Sequence, residues 1–116
     1  MTDPGETDRP ADTEEFARKF EAKYEHYFPE LQQAYRQAFE TMNDAYDSEL
    51  IHAIDQQILA ESEPLYEGDG QFRVELPEEP VGKLGGVVVA DEKAEAVLER
   101  YVGEIETELR GVFGFE

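Results

Sequence analysis

Leu65-Tyr66-Glu67-Gly68-Asp69-Gly70-Gln71-Phe72-Arg73-Val74-Glu75-Leu76-Pro77 is where the apolar period of this 116-residue chain changes. Before it, apolar residues recur every three or four positions, as on one face of a helix. Within it, Phe72, Val74 and Leu76 alternate with Arg73 and Glu75, as along a strand with one buried face. Gly68-Asp69-Gly70 supplies residues that accept positive φ at a hairpin turn, with Leu65-Tyr66-Glu67 as the first arm. Pro77 and Pro80 end the second arm. Phe72, Val74 and Leu76 are expected to face the core, and Arg73 and Glu75 the water.

On the N-terminal side, Asp12 or Thr13 is expected to cap a first helix. Phe16, Phe20, Tyr24, Tyr27 and Phe28 lie along its face, and Glu14 and Glu15 sit in the first turn, where the helix dipole favours them. Pro29 ends or kinks this helix and suits the start of the next. A second stripe runs through Leu31, Tyr35, Ala38, Phe39, Met42 and Tyr46. A third, capped by Asp47 or Ser48, runs through Leu50, Ile51, Ile54, Ile58 and Leu59. Asn43, Asp44 and Ser48 compete for backbone hydrogen bonds, which favours a break over one bent helix across 30–61.

On the C-terminal side, Gly85-Gly86 leads into Val87-Val88-Val89, a β-branched run suited to a short buried strand. Asp91 is expected to cap the last helix, whose stripe is Ala94, Val97, Leu98, Tyr101, Ile105, Leu109 and Val112. Gly111 and Gly114 end it, and Phe113 and Phe115 are expected to fold back onto the core. Residues 1–11 hold two Pro, one Gly and no large apolar residue after Met1, and read as a disordered acidic lead. The expected architecture is a single α+β domain over 12–116. It has three N-terminal helices, a small antiparallel sheet (the hairpin plus one short strand) and a C-terminal amphipathic helix.

Charge sets the environment. There are 29 acidic and 10 basic residues, a formal net charge of -19. On a folded chain this size that is one carboxylate per about 220 Å² of surface. With so few cations between them, the carboxylates oppose compaction. At molar salt the Debye length falls to about 3 Å and most of the repulsion disappears. The acids are spread along the whole chain, so the composition suits a cytoplasm holding molar salt. The alternative is an acidic nucleic-acid mimic that binds a basic protein. Nucleic acid itself is an unsuitable partner for such a surface. Seven Phe and six Tyr argue for a packed core. No apolar run reaches the length of a membrane span. The opening Met1-Thr2-Asp3-Pro4-Gly5-Glu6 lacks the apolar segment of a secretory signal. The absence of Cys removes disulfides, thiolate metal sites and cysteine nucleophiles.

Three stretches carry a family likeness: YDSELIHAIDQ (Tyr46 to Gln56), LYEGDGQFRVELP (Leu65 to Pro77) and VLERYV from Val97. Through them the chain, from about Phe16 to Glu116, resembles a family of short acidic proteins of halophilic archaea whose function is unknown. The resemblance implies a salt-loving host and a cytoplasmic location. It brings no catalytic residues with it.

Several constellations invite chemistry. Glu49 and His52 have the Glu-x-x-His spacing of di-iron bundles, but such a site needs a second motif and two further glutamates. His26, beside Glu25 and before Glu30, has the neighbours of an oriented general base, although a helix-end His is the simpler reading. Ser48, His52 and Asp47 or Asp55 suggest a hydrolase triad. No nucleophile elbow accompanies them, and Ser48 is better placed as a helix cap. Gly68-Asp69-Gly70 and Gly85-Gly86 lack the lysine and following helix of a phosphate loop, and read as turns. Glu67, Asp69 and the Pro77-to-Pro80 loop lack calcium-loop spacing. The aromatic stripe without basic neighbours reads as core or interface.

No residue is therefore assigned a catalytic or metal-binding role, and no cofactor is implied. The leading expectation is a non-enzymatic protein-interaction or self-associating module. Its partner is a protein, either a second copy in a homodimer or a larger complex, with no membrane and no nucleic acid involved. The stripe on the last helix is wider than a small sheet covers. It nominates Tyr101, Val102, Ile105, Val112 and Phe113 as contact residues. The rival is a small-ligand or metal-binding protein or enzyme with a site near Glu49 and His52.

Overall fold

Helices dominate residues 13–115, the part of the chain that the computed structural model describes. In order they are α1 (Thr13–Glu21), α2 (Lys23–His26), α3 (Phe28–Ala45) and α4 (Ser48–Gln57). The hairpin strands β1 (Glu63–Gly68) and β2 (Gln71–Glu75) follow, then α5 (Asp91–Val112). Short 3-10 turns lie at Leu59–Glu61 and Pro80–Lys83. The expected acidic lead, 1–11, lies outside the described residues, as does Asp12.

The first expected helix is two. Ala22 leaves helical geometry (φ -110, ψ 44) and breaks the ladder between α1 and α2. The break turns the apolar stripe: Phe16, Phe20 and Lys23 face inward, and Tyr24 faces out. Four N-terminal helices therefore replace the expected three. Pro29 stands in the first turn of α3, where its missing N–H costs nothing. The break after α3 is real. Tyr46 is extended, and the Asp47 carboxylate accepts a hydrogen bond from Leu50 N at 3.1 Å, capping α4.

The core forms where α3 packs on α5 and both meet α4 and the hairpin. Ala34 and Ala38 on α3 are fully buried, and side chains that small let the packed helices approach closely. In the hairpin, Pro64 lies opposite Val74 and Tyr66 opposite Phe72, with a bulge at Glu67. Phe72 and Val74 are buried, Arg73 and Glu75 exposed, and Leu76 half-buried, as the alternation requires. Gly68, Asp69 and Gly70 all take positive φ (91°, 54° and 73°). Gly70 N donates to the Tyr66 hydroxyl at 2.9 Å, tying the turn to its own strand.

Two expectations fail. Val87-Val88-Val89 is not a strand, and Val88 is fully exposed. The outer edge of β2 is already taken, since Val74 N donates to the Glu106 carboxylate of α5 at 3.1 Å. Gln57 meanwhile holds Gly85 to α4 by two hydrogen bonds, 2.8 and 3.0 Å. The valine run joins no strand, and the sheet has two strands among the described residues. Asp91 also does not cap α5. Ala90 is the N-cap and Asp91 the first helical residue, where the dipole still favours its charge.

Of the two glycines expected to end α5, Gly111 stays helical and Gly114 closes the helix, with the two phenylalanines folding back as expected. Phe115 N donates to Arg110 O (2.8 Å) and Gly114 N to Gly111 O (3.2 Å), with Gly114 at φ 80°. That is the Schellman arrangement, in which a left-handed glycine closes the helix. It returns Phe113 and Phe115 to an aromatic cluster with Phe16, Phe20, Tyr27, Tyr66 and Phe72.

Candidate functional site

The two histidines come first. His52 is exposed on α4, and its Nδ1 donates to Ser48 O at 2.9 Å. A carbonyl only accepts, so Nδ1 carries the proton. Ser48 Oγ lies 3.3 Å from that same nitrogen. A nitrogen already protonated toward a carbonyl cannot take the serine proton, so this pair is not arranged as nucleophile and base. Phe39 sets its ring edge against His52 (4.9 Å, 84°). Burial raises the Asp55 carboxyl above its usual range, and His52 partly offsets that shift. Glu49 is exposed, and no group of three or more His, Asp or Glu among the described residues could hold a metal ion. His26 ends α2 as an exposed residue beside Tyr27.

The interaction residues named from the sequence divide. Tyr101, Ile105 and Phe113 are buried in the chain's own core. Val102 and Val112 are half-buried at its margin. Val102 also stands in the wall of an open groove of about 820 Å³ between α5 and the segment 76–82. Leu76, Val81, Leu98 and Val102 supply its apolar surface, and Glu79, Asp91, Glu92, Glu95 and Glu99 line it as carboxylates. No lysine or arginine among the described residues lines it.

Sequence reasoning found one wall of this groove and missed the other. Pro77, the left-handed Glu79 (φ 47°) and Pro80 bend the chain back over α5. The two prolines are the readable signal, but a proline after a strand by itself marks only the strand's end.

A smaller recess of about 230 Å³ lies between α3 and the start of the hairpin, lined by Tyr24, Phe28, Tyr35, Leu59 and Pro64 among others. Two hydrogen bonds link residues of its lining. Ser62 Oγ donates to Leu59 O (2.7 Å), and Tyr35 Oη lies 3.1 Å from Ser62 Oγ, which leaves tyrosine as the donor there. Burial pushes Tyr35 up to about 12. Tyr101 is also raised, by burial first and then by the nearby Asp55 and Tyr35, and its hydroxyl has no hydrogen-bond partner among the described residues.

An α+β domain with an acid-lined apolar groove and no assembled catalytic constellation among its described residues is the class that fold and site define. Residues 12–116 match the model of DUF5783, a family of unknown function, and the chain belongs to that family. No curated protein and no solved structure matches it significantly. None of the described helices is long and apolar enough to cross a membrane.

Proposed function

We propose that this protein is a non-enzymatic, salt-adapted cytoplasmic interaction module whose groove docks an apolar segment of a partner protein. The observation that carries the reading is the pairing of apolar walls with a one-signed rim. Leu76, Val81 and Val102 offer contact area, while five carboxylates and no cation surround them. Such a rim favours a segment with Lys or Arg flanking its apolar centre, because complementary charge steers approach and fixes register. An acidic nucleic-acid mimic is less well supported, because it needs carboxylates along one face. Here exposed acids stand on α1, α3, α4, both strands and α5, as a solvated surface in a salty cytoplasm requires.

A random peptide library displayed against the protein in molar salt tests the reading, with Val102→Glu for counter-selection. Val102 is half-buried at the margin, so the variant is expected to keep the fold, checked by circular dichroism. It places a charge among the groove's apolar walls, which costs several kcal/mol when that charge is buried unpaired. Peptides with an apolar centre flanked by Lys or Arg should be enriched by the wild type and lost by the variant. Enrichment that ignores Val102, or no enrichment at all, refutes the groove as a docking site.

A further inference from the structure

The groove between α5 and the segment 76–82 changes character along its length. On the α5 wall, Asp91, Glu92, Glu95 and Glu99 crowd the start of the helix, and Leu98 and Val102 follow. The four carboxylates are exposed, and none pairs with a lysine or arginine among the described residues. The facing wall approaches from the other end. A Cβ on Gly70 would meet the Phe115 ring, and Val74 N bonds to Glu106, so β2 runs toward the start of α5. From Val74 to Leu76 the chain advances about 6.6 Å, and four residues back from Glu106 along α5 is about 6 Å. Leu76 is thereby level with Val102, and both line the groove. One end of the groove is apolar, formed by Leu76, Leu98 and Val102, and the other end is acidic.

We infer that the groove takes a short amphipathic helix of a partner protein, antiparallel to α5, with apolar side chains in its first turns and Lys or Arg in its last. This rests on the groove reading and narrows it to one conformation and one direction. The spacing of the acids supports the helix. Glu92, Glu95 and Glu99 stand at i, i+3 and i+7, with rises of about 4.5 and 6 Å. A second helix laid alongside presents cations at those same rises, whereas same-face residues of an extended chain recur at intervals of about 6.6 Å. Pro80 and Val81 offer the aliphatic stems of those cations an apolar surface. The two ends set the direction. A helix favours cations at its C-terminus, where its dipole is negative. A partner with its basic last turns at the acids lies antiparallel to α5 and brings its apolar first turns to Leu76, Leu98 and Val102. Along the partner, apolar residues come first, and Lys or Arg at positions j, j+4 and j+7 then face Glu99, Glu95 and Glu92. In molar salt, charges more than about 3 Å apart are screened, so matched spacing and not net charge selects the occupant.

Three synthetic peptides, compared by fluorescence anisotropy in molar salt, test the inference. The first has apolar residues leading and Lys at j, j+4 and j+7. The second is the same sequence reversed, and the third is the first with a central proline that forbids the helix. The first should bind at least several-fold more tightly than either of the others, and Val102→Glu should abolish its binding. Glu92 is exposed, so Glu92→Lys is expected to keep the circular dichroism of the wild type. It should weaken binding of the first peptide, and replacing that peptide's last lysine by glutamate should restore it. Equal binding by the reversed or the proline peptide, still lost in Val102→Glu, overturns this inference and leaves the groove reading standing. So does a Glu92→Lys variant that binds the first peptide as the wild type does. Absence of any Val102-dependent binding, whatever the peptide, overturns both.

Discussion

Lys23 is the charged side chain that the described residues bury, at 4% exposure. Its ammonium donates to Glu63 at 2.7 Å and stands 5.2 Å from the rings of both Phe20 and Tyr24. Removing one partner of such a pair costs more than replacing the cation with an apolar chain of similar length. Glu63→Gln should therefore lower stability by about 1.5 kcal/mol, the low end for a charged hydrogen bond, because Glu63 is half exposed. Lys23→Met should be close to neutral. Urea unfolding at fixed salt compares them, and a larger loss in Lys23→Met would show that the ion pair is not what holds this corner. The buried Tyr101 hydroxyl points the other way. Tyr101→Phe removes an unsatisfied donor and should raise stability by about 1 kcal/mol. Tyr35, at about 12, and Tyr101 both lie above the ordinary tyrosine value near 10. Below pH 10 both folded and unfolded chains hold these protons and the full stability is present. Above it the unfolded chain releases protons first, so stability should fall from pH 10 to 12. Tyr35→Phe should flatten part of that fall, and an unchanged slope would place the titration elsewhere.

The hairpin was the most legible element, because a period of two over Phe72 to Glu75 has one structural meaning. Its tip adds a constraint the pattern does not carry. A Cβ on Gly70 would meet the Phe115 ring at 2.9 Å, whereas one on Gly68 would meet open space. Both glycines hold positive φ, which alone costs an L side chain about 1–2 kcal/mol. Gly70→Ala should exceed Gly68→Ala in the loss of urea midpoint, because it also displaces the returning C-terminus. Equal losses would mean that Phe115 does not press on the turn. The valine run departs from the expected strand for a related reason. Strand propensity reports what a segment suits, and the hydrogen-bonding edge it would join is a tertiary matter. Here Glu106 and Gln57, distant in sequence, removed that edge. The split between α1 and α2 is not legible in the sequence because Tyr24 and Lys23 both fit a helical stripe, and the bend at Ala22 chooses between them.

Across the whole molecule, ten cations cannot neutralise 29 carboxylates. Ion pairs such as Lys19–Glu15, Lys83–Glu61 and Arg100–Glu104 are surface pairs, each contributing little. Lowering salt from about 3 M to 0.01 M extends the Debye length from a few Å to about 30 Å, and repulsion then acts across the whole domain. Circular dichroism and hydrodynamic radius should show unfolding or expansion over that range. A compact, cooperatively unfolding chain in dilute salt would refute the salt-adapted reading. Composition and periodicity by themselves settled the α+β class, the hairpin and its facing, the break before Asp47, the glycine-closed last helix and the excess of negative charge. Each of these depends on neighbours within about one helical turn or on a sum over the chain, which a linear string records. Packing in three dimensions settled which parts of the last helix are core and which are surface, where the acid-lined groove opens, and that Lys23 is buried. It also settled that Val87–Val89 is left without a strand. Those outcomes turn on residues well beyond one helical turn apart competing for the same space and the same hydrogen bonds, and no local period encodes who wins.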